Sequence, residues 1–440
     1  MIQEDKTQRV VITGMGVVCP LGHDVESLWQ AILDGKSAMA QTTIFDASTF
    51  PSNFSAEVKG YDLTKYTRNP ELHKHSNRGS AFAVGAASQA CRQARIDIET
   101  QAPADRIDRK RMGIYLGAGE GSADNDVFFN LLVQCWNARE NQMDWKKWAE
   151  IAYRRMDPMK ELEQEPNMPA AHLAALTGAR GPTRSCLTAC AASTQAVGEA
   201  AQLIRKGYAD VVIAGGAHSM IHPLGVTGFC RLTALSTRND SPETASRPFC
   251  ASRDGFVIGE GAAILVLESL ASAKRRGVQI VAEVIGYGSS SDAFRVTDMH
   301  EEGRGPVQAI NAALADAAIT CHDIDYISTH GTSTQENDYV ETLAIKAVFK
   351  ERARSVPASS VKSMIGHLIG AAGATELITC VLAIRDNIVP PTINLNDPDP
   401  KLDLDYVPNK PRQCKVDVAM NESFGFGGQN NVVIVKRFRQ

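Results

Sequence analysis

Cys190 lies where one kind of sequence pattern gives way to another. Thr183 to Leu187 form a short β-prone run before it, and small and apolar residues with helical spacing follow it at Val197, Ala200, Ala201 and Leu203. We therefore predict that Cys190 stands at the N-terminus of a helix. Unpaired backbone N–H groups and the helix dipole would lower the pKa of a thiol there and make it a nucleophile. The alternative is a buried, inert cysteine, the commoner case for an arbitrary cysteine.

Two other segments offer residues for catalysis. His330 follows a short apolar run and is followed by small hydroxyl residues, within Ser328 to Asp338. Lys362 and His367 come before a small-residue helical stretch that contains Glu376. A single histidine is more often structural than catalytic. A cysteine, two histidines and a lysine, each at a strand end or a helix start, together indicate an active site.

Two other kinds of site fit the residue spacing poorly. Cys186 and Cys190 lie four residues apart, but no second pair of Cys or His ligands stands near them, so a zinc site is not expected. Gly14 and Gly16 end a β-branched run, as in a nucleotide-binding loop, but no third glycine opens a helix after them. We therefore predict neither a metal nor a nucleotide.

Composition indicates a globular protein with a large core. The chain has 440 residues, of which 44% are hydrophobic, and its formal net charge of −4 gives no overall attraction to nucleic acid or to an anionic membrane. Its ten cysteines form no CxxC pair, which favours a reducing compartment. The polar N-terminal stretch and the absence of an apolar run of about 18 residues predict a cytoplasmic protein without a membrane segment.

Continuous apolar runs predict strands that are covered on both faces, and hence a sheet with helices on both sides. Three such runs are Met112 to Gly121, Ala209 to Gly216 and Gly255 to Glu268. Segments of the second half of the chain resemble segments of the first half in the same order. Glu283 to Gly288 resembles Ile12 to Gly16, Asp325 to His330 corresponds to Gly113 to Ala118, and Glu422 to Val435 resembles Gly255 to Val266. We therefore predict two related halves, residues 1–268 and 269–440.

One unusual segment spans about residues 128–165. It is rich in charge, is predicted to be mostly helical, and contains three of the four tryptophans, Trp136, Trp145 and Trp148. A surface insertion with aromatic anchors is one interpretation. A substrate cap or a partner-binding site is the other.

The catalytic set resembles the condensing enzymes of the thiolase superfamily, specifically the elongating β-ketoacyl-acyl carrier protein synthases of type II fatty acid synthesis. The resemblance covers nearly the whole chain. It includes, in one order, VVITGMGVVCPLG, the TAC that ends at Cys190, ALSTRND, SRPF, RDGFVIGEGA, the HGTST that begins at His330, the KSMIGHLIGAAGA that begins at Lys362, PPTINL and SFGFGG. It implies an α/β fold of five layers, α-β-α-β-α, with two similar halves back to back.

The resemblance also implies roles for individual residues. Cys190 would take an acyl chain from acyl carrier protein as a thioester. His330 and His367 would stabilise the enolate formed when malonyl-carrier protein loses carbon dioxide. The enolate carbon would then attack the thioester, and backbone N–H groups of Cys190 and Phe426 would hold the second oxyanion. Lys362 would support the histidines.

Further residues would support the site or bind substrate. Glu376 is expected to pair with Lys362, because an unpaired buried ammonium is costly. The positions that match substrate-binding residues are Phe229 and Phe426 beside the acyl thioester, and Thr332 and Thr334 at the phosphopantetheine arm. Phe426 would act as a gate, and core packing is the alternative for Phe229.

The same resemblance bears on cofactors and partners. No separate cofactor is implied, because the substrates arrive on the phosphopantetheine arm of acyl carrier protein. That carrier is the expected partner, together with a second copy of the chain in a homodimer or a related subunit in a heterodimer.

The chain departs from the family pattern in three places. Gln335 to Asn337 follow HGTST where Pro and Gly are common, Thr233 stands where a carrier-binding arginine is common with Arg231 nearby, and the tryptophan-rich segment is longer than usual. These departures concern carrier docking and the choice of acyl chain.

Related functions fit the sequence to different degrees. A degradative thiolase would carry a second cysteine where this chain has SFGFGG, and an initiating synthase would carry His and Asn instead of two histidines. A chain-length factor would lack the nucleophile. A polyketide or specialised-lipid ketosynthase would share every catalytic residue. We predict a synthase that extends an acyl chain by two carbons in fatty acid synthesis, with a polyketide or specialised-lipid synthase, or a non-condensing partner, as alternatives.

Overall fold

The computed structural model describes residues 8–98, 105–121 and 124–439. Its strands, in chain order, are β1 (Val10–Val18), β2 (Ala40–Gln41), β3 (Phe54–Ser55), β4 (Met112–Gly117), β5 (Trp136–Asn137), β6 (Gln142–Met143), β7 (Thr183–Cys186), β8 (Val211–His218), β9 (Gly261–Ser269), β10 (Ala282–Ser291), β11 (Tyr326–Ser328), β12 (Ala358–Ser359), β13 (Ile388–Val389), β14 (Arg412–Gln413), β15 (Val418–Gly425) and β16 (Gln429–Lys436). Its α-helices are α1 (Val25–Leu33), α2 (Arg78–Gln93), α3 (Asn125–Cys135), α4 (Trp145–Arg155), α5 (Pro158–Leu162), α6 (Met168–Thr177), α7 (Ala192–Arg205), α8 (Pro223–Arg231), α9 (Leu270–Arg276), α10 (Arg304–Asp316), α11 (Gln335–Phe349), α12 (Lys362–Ile365) and α13 (Ala372–Asp386).

Ten of these strands are hydrogen-bonded in the order β12-β11-β15-β16-β10-β1-β9-β8-β4-β7. The order divides between β10 and β1 into two equivalent halves. Outward from this junction, the first two pairings of each half are antiparallel and the next two are parallel. The predicted duplication of the fold is confirmed. The boundary between residues 268 and 269 stays a prediction, and it falls at the end of β9.

Two helices lie between the halves of the sheet. Helix α7 contacts β4 and β8 of the first half and β10 and β16 of the second, and α13 contacts β8 and β9 as well as β15 and β16. Helices α2 and α6 cover the other face of the first half, while α10, with α11 beside it, covers that of the second. The layers therefore alternate as α-β-α-β-α, as predicted. Within the three described ranges, no helix has the length and hydropathy of a membrane-spanning segment.

Glycines on the first strand of each half allow a helix to approach the sheet closely. A Cβ atom at Gly14 or Gly16 of β1 would lie 2.0 Å from a backbone oxygen of α2. A Cβ atom at Gly286 or Gly288 of β10 would lie 2.4 or 2.0 Å from a backbone oxygen of α10. The glycines of the first sequence motif therefore serve helix–sheet packing.

The tryptophan-rich segment forms helices α3, α4 and α5 and the short hairpin of β5 and β6, which confirms its predicted helical character. The ring of Trp148 packs edge-to-face against Phe128 at 5.9 Å and Trp145 at 6.2 Å. Tyr153 nevertheless remains 94% exposed. The buried carboxylate of Glu163 joins the end of the segment to α2 and α6 by hydrogen bonds. The role of the segment stays a prediction.

We expect Gly16→Ala to lower the free energy of unfolding by about 3 kcal/mol, because the new methyl group would overlap the backbone oxygen of Ala86. Gly228→Ala in α8 is the matched control. Apart from its chain neighbours and the backbone of its own helix, no atom lies within 4 Å of a Cβ there, and alanine favours a helix, so stability should rise by up to about 1 kcal/mol. Denaturant unfolding followed by circular dichroism measures both variants. Equal stabilities would contradict the packing constraint.

Candidate active site

Cys190 lies in a tight turn between β7 and α7. Residues Ala189–Ala191 form a turn of 3-10 helix, and α7 begins at Ala192. Ala189 has a φ of +47°, a left-handed conformation that costs a residue with a side chain about 1–3 kcal/mol. The strained turn brings the buried Cys190 side chain to the N-terminal end of α7, which confirms its predicted position.

The second half of the chain contains the same turn at the start of α13. Residues Ile369–Ala371 form a 3-10 turn, and Ile369 has a φ of +48°, close to the value at Ala189. The two turns contact each other. The backbone N–H of Ile369 donates a hydrogen bond to Nδ1 of His367 at 3.2 Å. The duplicated fold therefore brings the turn of Cys190 and the turn that holds His367 together at the ends of the two central helices.

Three buried side chains from different segments converge at this point. The sulfur of Cys190 and one ring nitrogen each of His330 and His367 all lie within 4.8 Å of one another. The two imidazole rings have centroids 5.4 Å apart and are nearly perpendicular. His330 follows the end of β11, and His367 precedes α13. One reacting carbon atom can therefore contact all three groups.

Both imidazoles present N–H groups to the centre of the site. Nδ1 of His367 accepts a hydrogen bond from Ile369, and Nδ1 of His330 lies 3.3 Å from the ammonium of Lys362, which can only donate. The proton of each neutral ring is therefore on Nε2. Burial, with the charge of Lys362 nearby, holds the pKa of both histidines well below its ordinary value. Two neutral donors suit an oxyanion, whereas a metal ion would need their lone pairs.

Lys362 joins the segment of His330 to α13. Its ammonium donates to the backbone oxygen of His330 at 2.6 Å and forms an ion pair with Glu376. Both partners of the ion pair are buried. The predicted pairing is confirmed, and loss of either partner would leave a buried charge without compensation.

The acidity of Cys190 differs from the prediction. Burial raises the pKa of its thiol to about 11, although the charge of Lys362 and hydrogen bonds from the backbone N–H groups of Phe426 and of Cys190 itself lower it. The predicted lowering of the pKa is therefore wrong, because the loss of water outweighs the favourable dipoles. At neutral pH, Cys190 is a protonated thiol.

A cavity of about 350 Å³ leads to these three side chains. Thr332 and Thr334 line it, and their hydroxyl groups lie 2.9 Å apart. Phe426 lines it as well and is partly exposed, with Gly425 and Gly427 on either side of it in the chain. The predicted arm-binding and gating residues are therefore at the cavity, and their roles stay predictions.

Phe229 is the predicted substrate-binding residue that does not line this cavity. It belongs to an apolar cluster behind the cavity and packs edge-to-face on Phe256 at 5.4 Å. Phe256 lines the cavity and contacts the ring of His367 at 5.2 Å. Phe424 lines it too, with its ring 6.0 Å from that of His330. Sequence reasoning missed Phe256 and Phe424, although both lie within the motifs RDGFVIGEGA and SFGFGG.

Two of the three departures from the family pattern, Thr233 and Gln335 to Asn337, line the cavity. Gln335 to Asn337 form the first turn of α11, and the side chain of Thr334 caps this helix. Glu336 accepts a hydrogen bond from the backbone of Met299 at 3.1 Å, and it lines the cavity together with Asp254 and Asp298. These acidic side chains were not predicted, because they come from three distant segments.

We expect the alkylation of Cys190 by iodoacetamide to accelerate about tenfold for each pH unit until the pH approaches 11, because only the thiolate reacts and burial raises the pKa of this thiol to about 11. Lys362→Met should move the rise to still higher pH, because the ammonium lowers this pKa. Site-resolved mass spectrometry at several pH values measures both rates, with Cys190→Ala as the background. A plateau of the wild-type rate below pH 8 would contradict the burial effect.

Comparison with known proteins yields matches over both halves of the chain. The family model "Beta-ketoacyl synthase, N-terminal domain" matches residues 7–273, and "Beta-ketoacyl synthase, C-terminal domain" matches residues 281–396. The 3-oxoacyl-[acyl-carrier-protein] synthase 2 of Coxiella burnetii is 41% identical over 98% of this chain and 99% of its own length. The protein of the same name from Synechocystis sp. is 39% identical, with the same shares covered.

Solved structures agree with these matches. A beta-ketoacyl synthase from Burkholderia phymatum is 32% identical, has a TM-score of 0.85, and is matched over 98% of this chain and all of its own. A type II polyketide ketosynthase, solved in complex with its acyl-carrier protein and bound to the hexaketide, is 33% identical with the same TM-score and shares. The resemblance seen in the motifs is thereby confirmed, and the chain belongs to the beta-ketoacyl synthase family of condensing enzymes.

Proposed function

We propose that the protein is a β-ketoacyl-acyl carrier protein synthase that lengthens an acyl chain by two carbons in fatty acid synthesis. The observation that carries this proposal is the convergence of a buried thiol and two N–H-donating imidazoles within 4.8 Å at a cavity. The two relatives named above carry the name of this activity. The geometry of the site supports the roles proposed below for individual residues.

The first step exchanges one thioester for another. The sulfur of Cys190 attacks the acyl carbonyl carbon, a new C–S bond forms, and the bond to the sulfur of the phosphopantetheine arm breaks. Because Cys190 begins as a thiol and only its thiolate is nucleophilic, the thiol loses its proton as the new C–S bond forms and the departing sulfur takes up a proton, so the exchange leaves no net charge in the buried site. The backbone N–H groups of Cys190 and Phe426, which hydrogen-bond the thiol, stabilise the oxyanion formed during the exchange.

The second step forms the carbon–carbon bond. The malonyl thioester loses carbon dioxide, and the electrons of the broken bond form an enolate. The enolate oxygen accepts hydrogen bonds from the Nε2–H groups of His330 and His367. The enolate carbon attacks the thioester carbon on Cys190, and the C–S bond breaks. A proton from water then returns the sulfur to its thiol form. No separate cofactor is required, because acyl carrier protein brings both substrates.

The surrounding residues orient these groups. Lys362 holds the backbone and Nδ1 of His330 and is balanced by Glu376. Thr332 and Thr334 bind the phosphopantetheine arm, and Phe426 gates the entry of the acyl chain. The carrier docks at the mouth of the cavity, near the exposed Arg231. The cytoplasmic location stays a prediction.

A ketosynthase of a polyketide or specialised-lipid pathway is a second candidate. Three acidic side chains that line the cavity, Asp254, Asp298 and Glu336, are the observation that favours a substrate with polar groups over a plain fatty acyl chain. Two of the solved relatives are a type II polyketide ketosynthase and the ishigamide ketosynthase/chain length factor.

The free edge of β7 supports a dimer. Among the described strands β7 pairs with β4 alone, and Thr183 and Arg184 are exposed. An edge strand with unpaired backbone groups can pair with a strand of another chain. Leu187, 53% exposed, adds an apolar contact just beyond the strand. We place a second copy here. A related subunit is the alternative, since one solved relative is a ketosynthase in complex with its chain length factor.

We expect the protein to become acylated at Cys190 by acyl-carrier proteins and to release a β-keto product two carbons longer when malonyl-carrier protein follows. Intact mass spectrometry and product analysis over several acyl lengths measure both steps and give the preferred length. Cys190→Ala is the control for the site of acylation. Acylation without extension would indicate a missing partner or another extender, and no acylation by any carrier would favour a non-condensing partner.

His330→Ala should reduce decarboxylation of malonyl-carrier protein at least about 100-fold, because an oxyanion donor is lost, while Cys190 is still acylated. Release of carbon dioxide and intact mass are measured on the same sample. Cys190→Ala is the converse control, in which acylation is lost and decarboxylation remains. A His330→Ala variant that fails only in acylation would contradict the assigned role.

Leu187→Lys should convert the dimer into a monomer, because a charge at the strand edge opposes strand pairing. Light scattering coupled to size-exclusion chromatography measures the mass. Leu72→Lys is the control, because Leu72 is 51% exposed, similar to Leu187 at 53%, but lies far from β7 in the sequence. A change of mass in both variants, or in neither, would contradict an interface at β7.

A further inference from the structure

Glu422 is a fully buried carboxyl group in the middle of β15. Alternation along the strand puts its side chain on the same face as Met420 and Phe424, within the apolar cluster beneath α10 and α11. Neither of its oxygens has a hydrogen-bond donor among the described residues. The charged group that acts on it is the carboxyl group of Glu341 on α11, which is close enough to share a hydrogen bond once one of the two carboxyl groups carries a proton. A buried polar group of this kind needs an explanation.

Glu341 binds the two backbone N–H groups that flank the α-carbon of His330. It lies on α11, is fully buried, and accepts hydrogen bonds from the backbone N–H groups of His330 at 2.5 Å and Gly331 at 2.8 Å. The amide of Asn337 adds a longer contact at 3.4 Å. Because these donors stabilise negative charge, Glu341 is the anionic member of the pair.

One proton must lie between the two carboxyl groups. Two adjacent carboxylates without water repel each other strongly, so such a pair retains a proton that belongs to both groups. Burial raises the pKa of Glu341 to about 7 and the pKa of Glu422 well above its ordinary value. Glu422 receives no other hydrogen bond, so it is the neutral acid and donates its O–H to Glu341.

We propose that Glu422 is a positioning residue for condensation: its neutral carboxyl group donates a hydrogen bond that fixes Glu341, and Glu341 in turn fixes the backbone that aims His330 at the enolate oxygen. This inference rests on the proposed function for the role of His330. It gives a residue in the middle of β15 a role in the reaction, in addition to the role of Phe426, which follows the end of the same strand.

The charged groups around the pair determine its response to pH. Asp338 of α11 raises the pKa of Glu341, and Lys362 of α12 lowers it. Arg253 offsets Asp338 at 3.6 Å. From α10 and β16, the cluster contains uncharged side chains such as Ile310, Ala313 and Val432. The charged ends of α10 are bound elsewhere, Arg304 to the backbone of Asp292 and Asp316 to Arg205. A second negative charge on the pair would therefore be poorly compensated.

Glu422→Gln and Glu422→Leu form a matched pair of variants of similar size. Glutamine can still donate a hydrogen bond to Glu341 but cannot ionise, so decarboxylation of malonyl-carrier protein at neutral pH should stay within about twofold of wild type. Its alkaline limit should move up by at least about one pH unit, because the second charge cannot form. Leucine cannot donate, so kcat for decarboxylation should fall about tenfold or more, while acylation of Cys190 and KM for malonyl-carrier protein stay within about twofold.

A measurement of stability tests the shared proton without activity. A carboxyl group whose pKa is raised in the folded state contributes stability that is complete below its unfolded pKa and is lost as pH rises through its folded pKa. Glu422→Gln removes this loss. The melting temperature of the variant minus that of wild type should therefore become more positive as pH rises from about 4.5 upward, the ordinary range of a glutamate.

The outcomes separate this inference from the proposed function. Wild-type rates of decarboxylation in Glu422→Leu, or a melting-temperature difference for Glu422→Gln that does not change with pH, would overturn the inference. If Glu422→Leu does not fold, the pH profile of Glu422→Gln decides, and an unshifted alkaline limit overturns the inference. A failure of every carrier to acylate wild-type Cys190 would instead overturn the proposed function. The comparison of melting temperatures would still test whether Glu422 and Glu341 share a proton.

Discussion

The buried ion pair of Lys362 and Glu376 is the interaction on which the site depends most. Its ammonium donates to the backbone of His330, and its partner carboxylate lies on α13, the helix that follows the turn of His367. The same positive charge lowers the pKa of Cys190 and of both histidines. One cation thus fixes one imidazole in place, adds to the effect of burial that keeps both imidazoles neutral, and partly offsets the effect of burial on the thiol, while Glu376 compensates its charge.

The duplicated fold explains why these groups meet at all. Each half supplies one central helix, and each central helix begins with a turn whose first residue has the same left-handed backbone. In the first half this turn carries Cys190; in the second, its backbone fixes the tautomer of His367. The strained conformations persist because the two turns pack against each other between the two halves of the sheet. The site is therefore a product of the interface between the halves.

Local patterns were sufficient to predict much of this arrangement. The position of Cys190 and the repetition of strands follow from short segments or from their order, whereas the pairing of Lys362 with Glu376 was expected from the family resemblance and from the cost of burying an unpaired ammonium. The acidity of Cys190 could not be predicted in this way, because it depends on how completely distant segments exclude water. For the same reason, short motifs could not predict that Phe256 lines the cavity while Phe229 packs behind it, and the role of Phe229 stays a prediction. The pairing of Glu422 with Glu341 needs the packing of α11 on β15, which no local pattern contains.

The raised pKa of Cys190 has a consequence for the survival of the protein in a cell. A thiolate with a depressed pKa reacts with peroxides and with electrophilic metabolites whenever they diffuse past, and over-oxidation of such a sulfur is irreversible. A thiol whose pKa is about 11 is almost entirely protonated at neutral pH. Cys190 then reacts mainly with thioesters that bind in the cavity, because their departing sulfur can take up a proton. Burial of Cys190 thus slows its reaction with oxidants while still allowing its reaction with bound thioesters.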